Sequence, residues 1–160
     1  MNLKRFEVQE LLQLQASITT ELMERGVVRT RNNPLGDYAE WIVARALNLT
    51  LARNSEIGYD AISKRGIRFQ IKSRRITAKN KSRQLSAIRK LNEKDFDKLA
   101  AVIFDEDFNV IDAVLMPHEV VEEYSVYKEH VNAHILHLKG PILYDSRVKS
   151  IKKKIESNQI

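Results

Sequence analysis

Apolar residues recur at helical spacing through the first third of the chain and then switch to the two-residue period of strands. Leu11, Leu14, Ile18 and Leu22 stand three and four apart, which predicts an amphipathic helix over about residues 2–25, closed by Gly26. After the basic connector Arg29-Thr30-Arg31-Asn32-Asn33, the pair Asn33-Pro34 predicts a second helix start, Asn33 as N-cap and Pro34 in the first position. Leu35, Tyr38, Ala39, Ile42, Val43 and Ala46 carry that helix to about Asn48. Thr50 to Arg53 reads as a short strand, and Gly58 to Arg75 as a hairpin. Ser73 to Lys90 is polar and basic, a loop with a helical turn expected near Leu85–Leu91. The nearly continuous apolar run Phe96–Phe104 predicts a central buried strand, and Asp105-Glu106-Asp107 its turn. Asn109 to Met116 is the next strand. Pro117-His118 opens a helix through about Tyr124, and a lysine-rich helix is expected over about residues 145–158. Helices alternating with strands in one chain of 160 residues predict a single α/β domain.

The hairpin is where the polar positions become informative. Ile67, Phe69 and Ile71 lie on one face of its second strand, Arg68, Gln70 and Lys72 on the other. A three-residue loop Lys64-Arg65-Gly66, with Gly66 in the left-handed position, pairs Ser63 with Ile67 and sets Asp60 opposite Gln70. A two-residue loop at Arg65-Gly66 would pair Asp60 with Ile71 and turn the carboxylate to the apolar side, a costly burial. The odd-length loop is therefore expected. It brings a carboxylate, an amide and an ammonium together within roughly 5–8 Å.

Hard oxygens beside a lysine suit phosphodiester hydrolysis: the oxygens hold Mg²⁺, and the lysine orients water or meets developing charge. The spacing Asp60, nine residues, Gln70-x-Lys72 resembles the PD-(D/E)xK nuclease superfamily, in the variant where Gln replaces the acid of the last motif. That resemblance covers about residues 34–116. It implies a restriction-endonuclease-like fold, a central mixed β-sheet of four or five strands flanked by helices. It implies metal ligation by Asp60, Gln70 and the Ile71 carbonyl, with Lys72 as the catalytic lysine. It also asks for a glutamate on a preceding helix, which Glu40 supplies. On sequence alone Glu40 is equally a first-turn acid favoured by the helix dipole. Asp37, three residues earlier, lies farther from the apolar border. The proline of the superfamily's name is absent, and Gln70 brings one negative charge fewer than Glu.

Charge placement adds a partner. The net charge is +6, yet residues 61–92 hold eleven basic side chains and no acid, while the remaining 16 basic residues face all 21 acidic ones. The positive excess thus sits beside the candidate site, as a surface for nucleic acid would have it. Arg74, Arg75, Lys79, Lys81, Arg83 and Arg89 are the expected phosphate contacts. Absent cysteine excludes a disulfide scaffold. No apolar run reaches membrane-spanning length and no signal-peptide core is visible, so a cytoplasmic protein is expected. His130, His134 and His137 invite zinc, but no cysteine or carboxylate joins them as an evident fourth ligand.

The resulting expectation is an Mg²⁺-dependent endonuclease acting on DNA, with Mn²⁺ as the alternative metal and no small-molecule cofactor. It would commonly be a homodimer joined through the first helix. The alternative is a degenerate nuclease fold that only binds nucleic acid. A small phosphorylated substrate fits less well, since it needs no such basic stretch and no glycine-rich phosphate loop is present.

Overall fold

Residues 2–53 and 58–158 are described by the structure, a computed structural model. The N-terminal segment is broken where one helix from residue 2 was expected. A 3-10 turn, Leu3–Arg5, precedes helix α1, Val8–Glu24. The Glu10 carboxylate accepts the Glu7 N–H at 2.8 Å, which fixes the later start. Helix α2, Leu35–Leu47, begins where Asn33 Oδ1 accepts the Leu35 N–H at 3.0 Å, one residue beyond the expected cap geometry. It buries Ala39, Ile42, Val43 and Ala44.

A six-stranded sheet follows: β1 (Thr50–Leu51), β2 (Ala61–Ile62), β3 (Arg68–Arg75), β4 (Lys98–Phe104), β5 (Val110–Pro117) and, after helix α3 (His118–Tyr124) and a separate hairpin of β6 (Val126–Lys128) and β7 (Ala133–Ile135), β8 (Lys149–Ser150). The order is β1-β2-β3-β4-β5-β8. Only β3 and β4 run parallel, from Phe69 beside Lys98 to Arg75 beside Phe104. The protein is therefore mixed α/β, with more strands than the four or five expected because both ends of the sheet carry two-residue strands. The expected C-terminal helix is shorter too. Lys149 and Ser150 pair with Leu115 and Val114, which leaves helix α4 only Lys152–Glu156.

The alternation seen along β3 and β4 sorts the core into two layers. Phe69, Ile71, Ala100, Val102 and Phe104 pack under α2 and α4. Leu99, Ala101, Ile103, Val114 and Met116 face the other way, toward α3, Leu85–Leu91 and Leu136–Ile142. Residues Leu85 to Leu91 make no helical turn. Ile88 bridges to His134, Gln84 just before the segment bridges to His137, and a 3-10 turn begins only at Leu91, over Leu91–Glu93. Leu85, Ile88 and Leu91 are fully buried, each removing enough apolar surface from water for about 1.5–3 kcal/mol of transfer free energy. That burial holds a helix-free segment against the sheet.

Among the described residues, no helix is long and apolar enough to cross a membrane.

Candidate functional site

The hairpin register is the odd-length one. Gly66 has φ +79°, the Ser63 N–H donates to the Ile67 carbonyl at 2.9 Å, and Ala61 stands opposite Phe69. Asp60 then lies beyond the end of the short β2, level with Gln70. Its carboxylate does what a longer strand's backbone would have done: Oδ2 accepts the Ile71 N–H at 2.6 Å and the Gln70 Nε2–H at 2.5 Å. The N–H and C=O of one strand residue point to the same neighbour, so the Ile71 carbonyl also faces the Asp60 side. Gly58 starts this turn because nothing larger fits. A Cβ there would stand 2.1 Å from that of Asp95, and its φ is +92°.

Glu40, on α2, lies near enough to this patch for the Asp60 charge to act on it. Its carboxylate is ion-paired with Arg29 Nη2, while Arg29 Nη1 donates to the Ala52 carbonyl at 2.8 Å. Asp37 explains why Arg29 is there. Its Oδ2 accepts from the Arg29 N–H at 2.8 Å, from the Thr30 N–H at 2.9 Å and from the Thr30 hydroxyl at 3.1 Å. The residue read as a weaker candidate is thus an anchor for the connector.

Lys72 completes the group. It shares the β3 face of Gln70 and stands beside Ala101. Burial lowers its pKa, the Asp60 and Glu40 carboxylates oppose that, and Arg89 adds to the lowering. Glu40 is displaced the other way, up to about 7: burial dominates, the Asp60 charge adds to it, and the Arg29 charge works against both. The structure therefore brings Glu40, Asp60, Gln70 and Lys72 within electrostatic or hydrogen-bonding reach of one another, with Arg29 as an additional member. Two groups whose pKa values are pushed from opposite sides toward neutrality are a recognised property of functional sites.

The Glu40 shift has a measurable sign. Between its ordinary 4.5 and about 7, the folded protein holds a proton that the unfolded chain has released. The stability this contributes is full below 4.5 and is lost as pH rises through 7. Glu40→Gln is expected to flatten stability over that window, so that urea midpoints at pH 5 and pH 7.5 differ less than in the wild type. Equal pH dependence in both proteins would refute the assignment.

The oxygens available here, those of the Glu40, Asp60 and Gln70 side chains and the Ile71 backbone carbonyl, are all hard donors. Among the described residues, no three His, Cys, Asp or Glu side chains form a group that could hold a metal ion, so a cation would draw on Gln70 and a backbone oxygen as well as the two acids. Gln70 turns its Nε2 to Asp60, which leaves its oxygen as the outward end. The donor set fits Mg²⁺ or Mn²⁺. The histidines do not share a helix: His130 is in the 3-10 turn Glu129–Val131, while His134 is in β7, with its Nδ1 3.1 Å from the Ser125 hydroxyl.

The basic residues divide. Arg83 is tied to Asp112 at 2.6 Å and to the Leu138 carbonyl at 2.6 Å, and Arg74 Nε donates to the Ser82 carbonyl at 3.2 Å. Arg75 lies over the Phe108 ring at 4.5 Å. Lys79, Lys81 and Arg89 are exposed.

Sequence reasoning missed Arg29. The available signal was the pair Asp37 and Glu40, one helical turn apart on α2 and preceded by a basic connector, which puts two acids within reach of it. No protein-family model and no curated protein sequence matches this chain.

Proposed function

We propose that this protein is a Mg²⁺-dependent endonuclease that hydrolyses phosphodiester bonds of DNA, on a restriction-endonuclease-like fold of the PD-(D/E)xK type. The observation that carries the reading is the convergence of Glu40 from α2, Asp60 from the hairpin and Gln70 and Lys72 from β3, in the hairpin register that the motif requires. Glu40, Asp60, Gln70 and the Ile71 carbonyl would hold Mg²⁺ or Mn²⁺. When bound, the cation supplies charge neutralisation at the phosphate and a more acidic water. The chain's own residues do the rest. Asp60 is fixed by Ile71 and Gln70, so it needs no reordering to bind. Lys72 has a lowered pKa and faces both acids, which suits it to orient water and to meet charge as the bond breaks. Lys79, Lys81 and Arg89 offer backbone contacts without sequence information. Helix α1 buries none of its residues, and its apolar stripe is the surface proposed for a homodimer.

A second reading has its own support. Each acid already has a partner, Glu40 the Arg29 guanidinium and Asp60 the Gln70 amide. This is the arrangement of a degenerate fold that binds nucleic acid without a metal. One experiment separates the two: purified protein with plasmid, single-stranded and branched DNA, in Mg²⁺, Mn²⁺ or EDTA. Cleavage with either metal and none in EDTA is expected. Binding without cutting on every substrate would replace the enzyme by the binding module.

A further inference from the structure

A second recess lies outside the acid cluster and is tied to it through Arg89. It is a groove of about 540 Å³ lined by Arg89, Lys90, Leu91, Tyr127, Asn132 and His134. Its walls come from two distant stretches, the segment after β3 and the β6–β7 hairpin, joined where Ile88 and His134 exchange backbone hydrogen bonds at 2.9 and 2.8 Å. Arg89 follows Ile88 directly and is close enough to Lys72 for its charge to bear on that side chain.

We propose that this groove is a subsite for one unpaired nucleobase, holding a single-stranded segment of the substrate next to the acid cluster. The proposal rests on the nucleic-acid reading above and adds which form of nucleic acid is held. Three properties of the groove support it. Tyr127 is 49% exposed, and its ring is held in place rather than free to swing. Its hydroxyl donates to Asn132 Oδ1 at 2.8 Å, and its ring meets that of His134 at 5.4 Å between centroids. A fixed, exposed aromatic face is a stacking platform, and every base has a face to stack on it. Asn132 accepts through its oxygen, so its Nδ2 is the end with hydrogens to donate to a base edge. Arg89 brings positive charge to the lining, where the phosphate of the same nucleotide would lie, while the Lys90 ammonium beside it is paired with Glu93 at 3.2 Å.

Lys90 and Asn132 cap the 3-10 turns Leu91–Glu93 and Glu129–Val131 in left-handed conformations, φ +54° and +47°, which sets the backbone path of each wall. The volume lies within the range of small-ligand sites, roughly 300–1,000 Å³. A fully paired duplex offers no free base face, so the groove would not distinguish it from bare backbone.

The test uses the full chain in Ca²⁺ or without metal, so that cutting does not enter. A strand carrying 2-aminopurine within oligothymidylate should lose fluorescence on binding wild-type protein, as a stacked base does. Tyr127→Ala should abolish that quenching and weaken oligothymidylate binding about 5- to 150-fold, the loss of one base–aromatic stack. Tyr127→Phe keeps the ring but loses the bond to Asn132, so it should retain quenching and bind between wild type and Tyr127→Ala. Binding of an abasic strand of the same length, and of duplex, should be unchanged in both variants. Absence of quenching by the wild type overturns the proposal whether or not Tyr127→Ala folds. So does an equal loss for the abasic strand. A protein that stacks the base yet never cuts in Mg²⁺ would sink the endonuclease and leave the subsite standing; one that cuts but ignores Tyr127→Ala would do the reverse.

Discussion

Lys72→Ala is expected to bind DNA as the wild type does and to cut it slower by a factor on the order of hundreds or more, the usual cost of a lost acid–base or electrostatic group. The reason lies in when Lys72 is used. It sits on the face of Gln70, buried enough to lower its pKa, and its charge is balanced by Asp60 and Glu40. A group that meets water or developing charge is engaged chiefly in the transition state, so its removal lowers the chemical rate and spares ground-state binding. Single-turnover cleavage in Mg²⁺, beside binding measured in Ca²⁺, gives both quantities. Cleavage within a few-fold of wild type would remove Lys72 from the reaction. Loss of binding in step with loss of cleavage would mean that it merely grips phosphate.

Asp60 should fail differently, because its carboxylate has a structural task as well as a chemical one. Asp60→Ala deletes the acceptor for the Ile71 N–H and the Gln70 amide. An unsatisfied, partly buried N–H costs about 1–3 kcal/mol. The variant should therefore lose stability by that order, lose cleavage, and lose Mg²⁺ binding in calorimetry. Asp60→Asn keeps an oxygen in the same place. It should recover most of the stability while recovering neither Mg²⁺ binding nor cleavage. If Asp60→Asn cuts normally, the carboxylate is an anchor for β3 and not a ligand.

That double role bears on what the sequence could reveal. The register of Asp60 against Gln70 was legible because a wrong loop length would have turned a carboxylate into the core, and the Ile67–Phe69–Ile71 alternation leaves no ambiguity of face. The continuous run ending at Phe104 likewise named the central strand. Leu85, Ile88 and Leu91 misled by spacing. Three apolar residues three apart resemble a helical stripe, but the Leu85 and Ile88 N–H groups donate to the carbonyls of Leu136 and His134, far along the chain. No local pattern reports such a pairing. The tail was over-read for the same reason, since Lys149 and Ser150 answer to β5 and not to their neighbours. The Glu40 environment was half legible. The acid could be placed on α2, but its raised pKa comes from burial and from Asp60, against the opposing charge of an arginine held by the hydrogen bonds of Asp37. These are properties of tertiary approach and leave no trace in periodicity.

The parallel pairing of β3 and β4 has a consequence for how this protein can change over generations. Strands that run the same way need a long return, usually a helix, and here that return is residues 76–97, which include Lys79, Lys81 and Arg89. The cover that would touch a substrate is thus also the only covalent link between the two central strands. An insertion there that altered substrate preference would have to preserve the burial of Leu85, Ile88 and Leu91 and their stitching to the β7 region. Variation in what the protein would grip is therefore confined to side chains along a fixed path and along the exposed strand β6 of the hairpin to which that path is stitched.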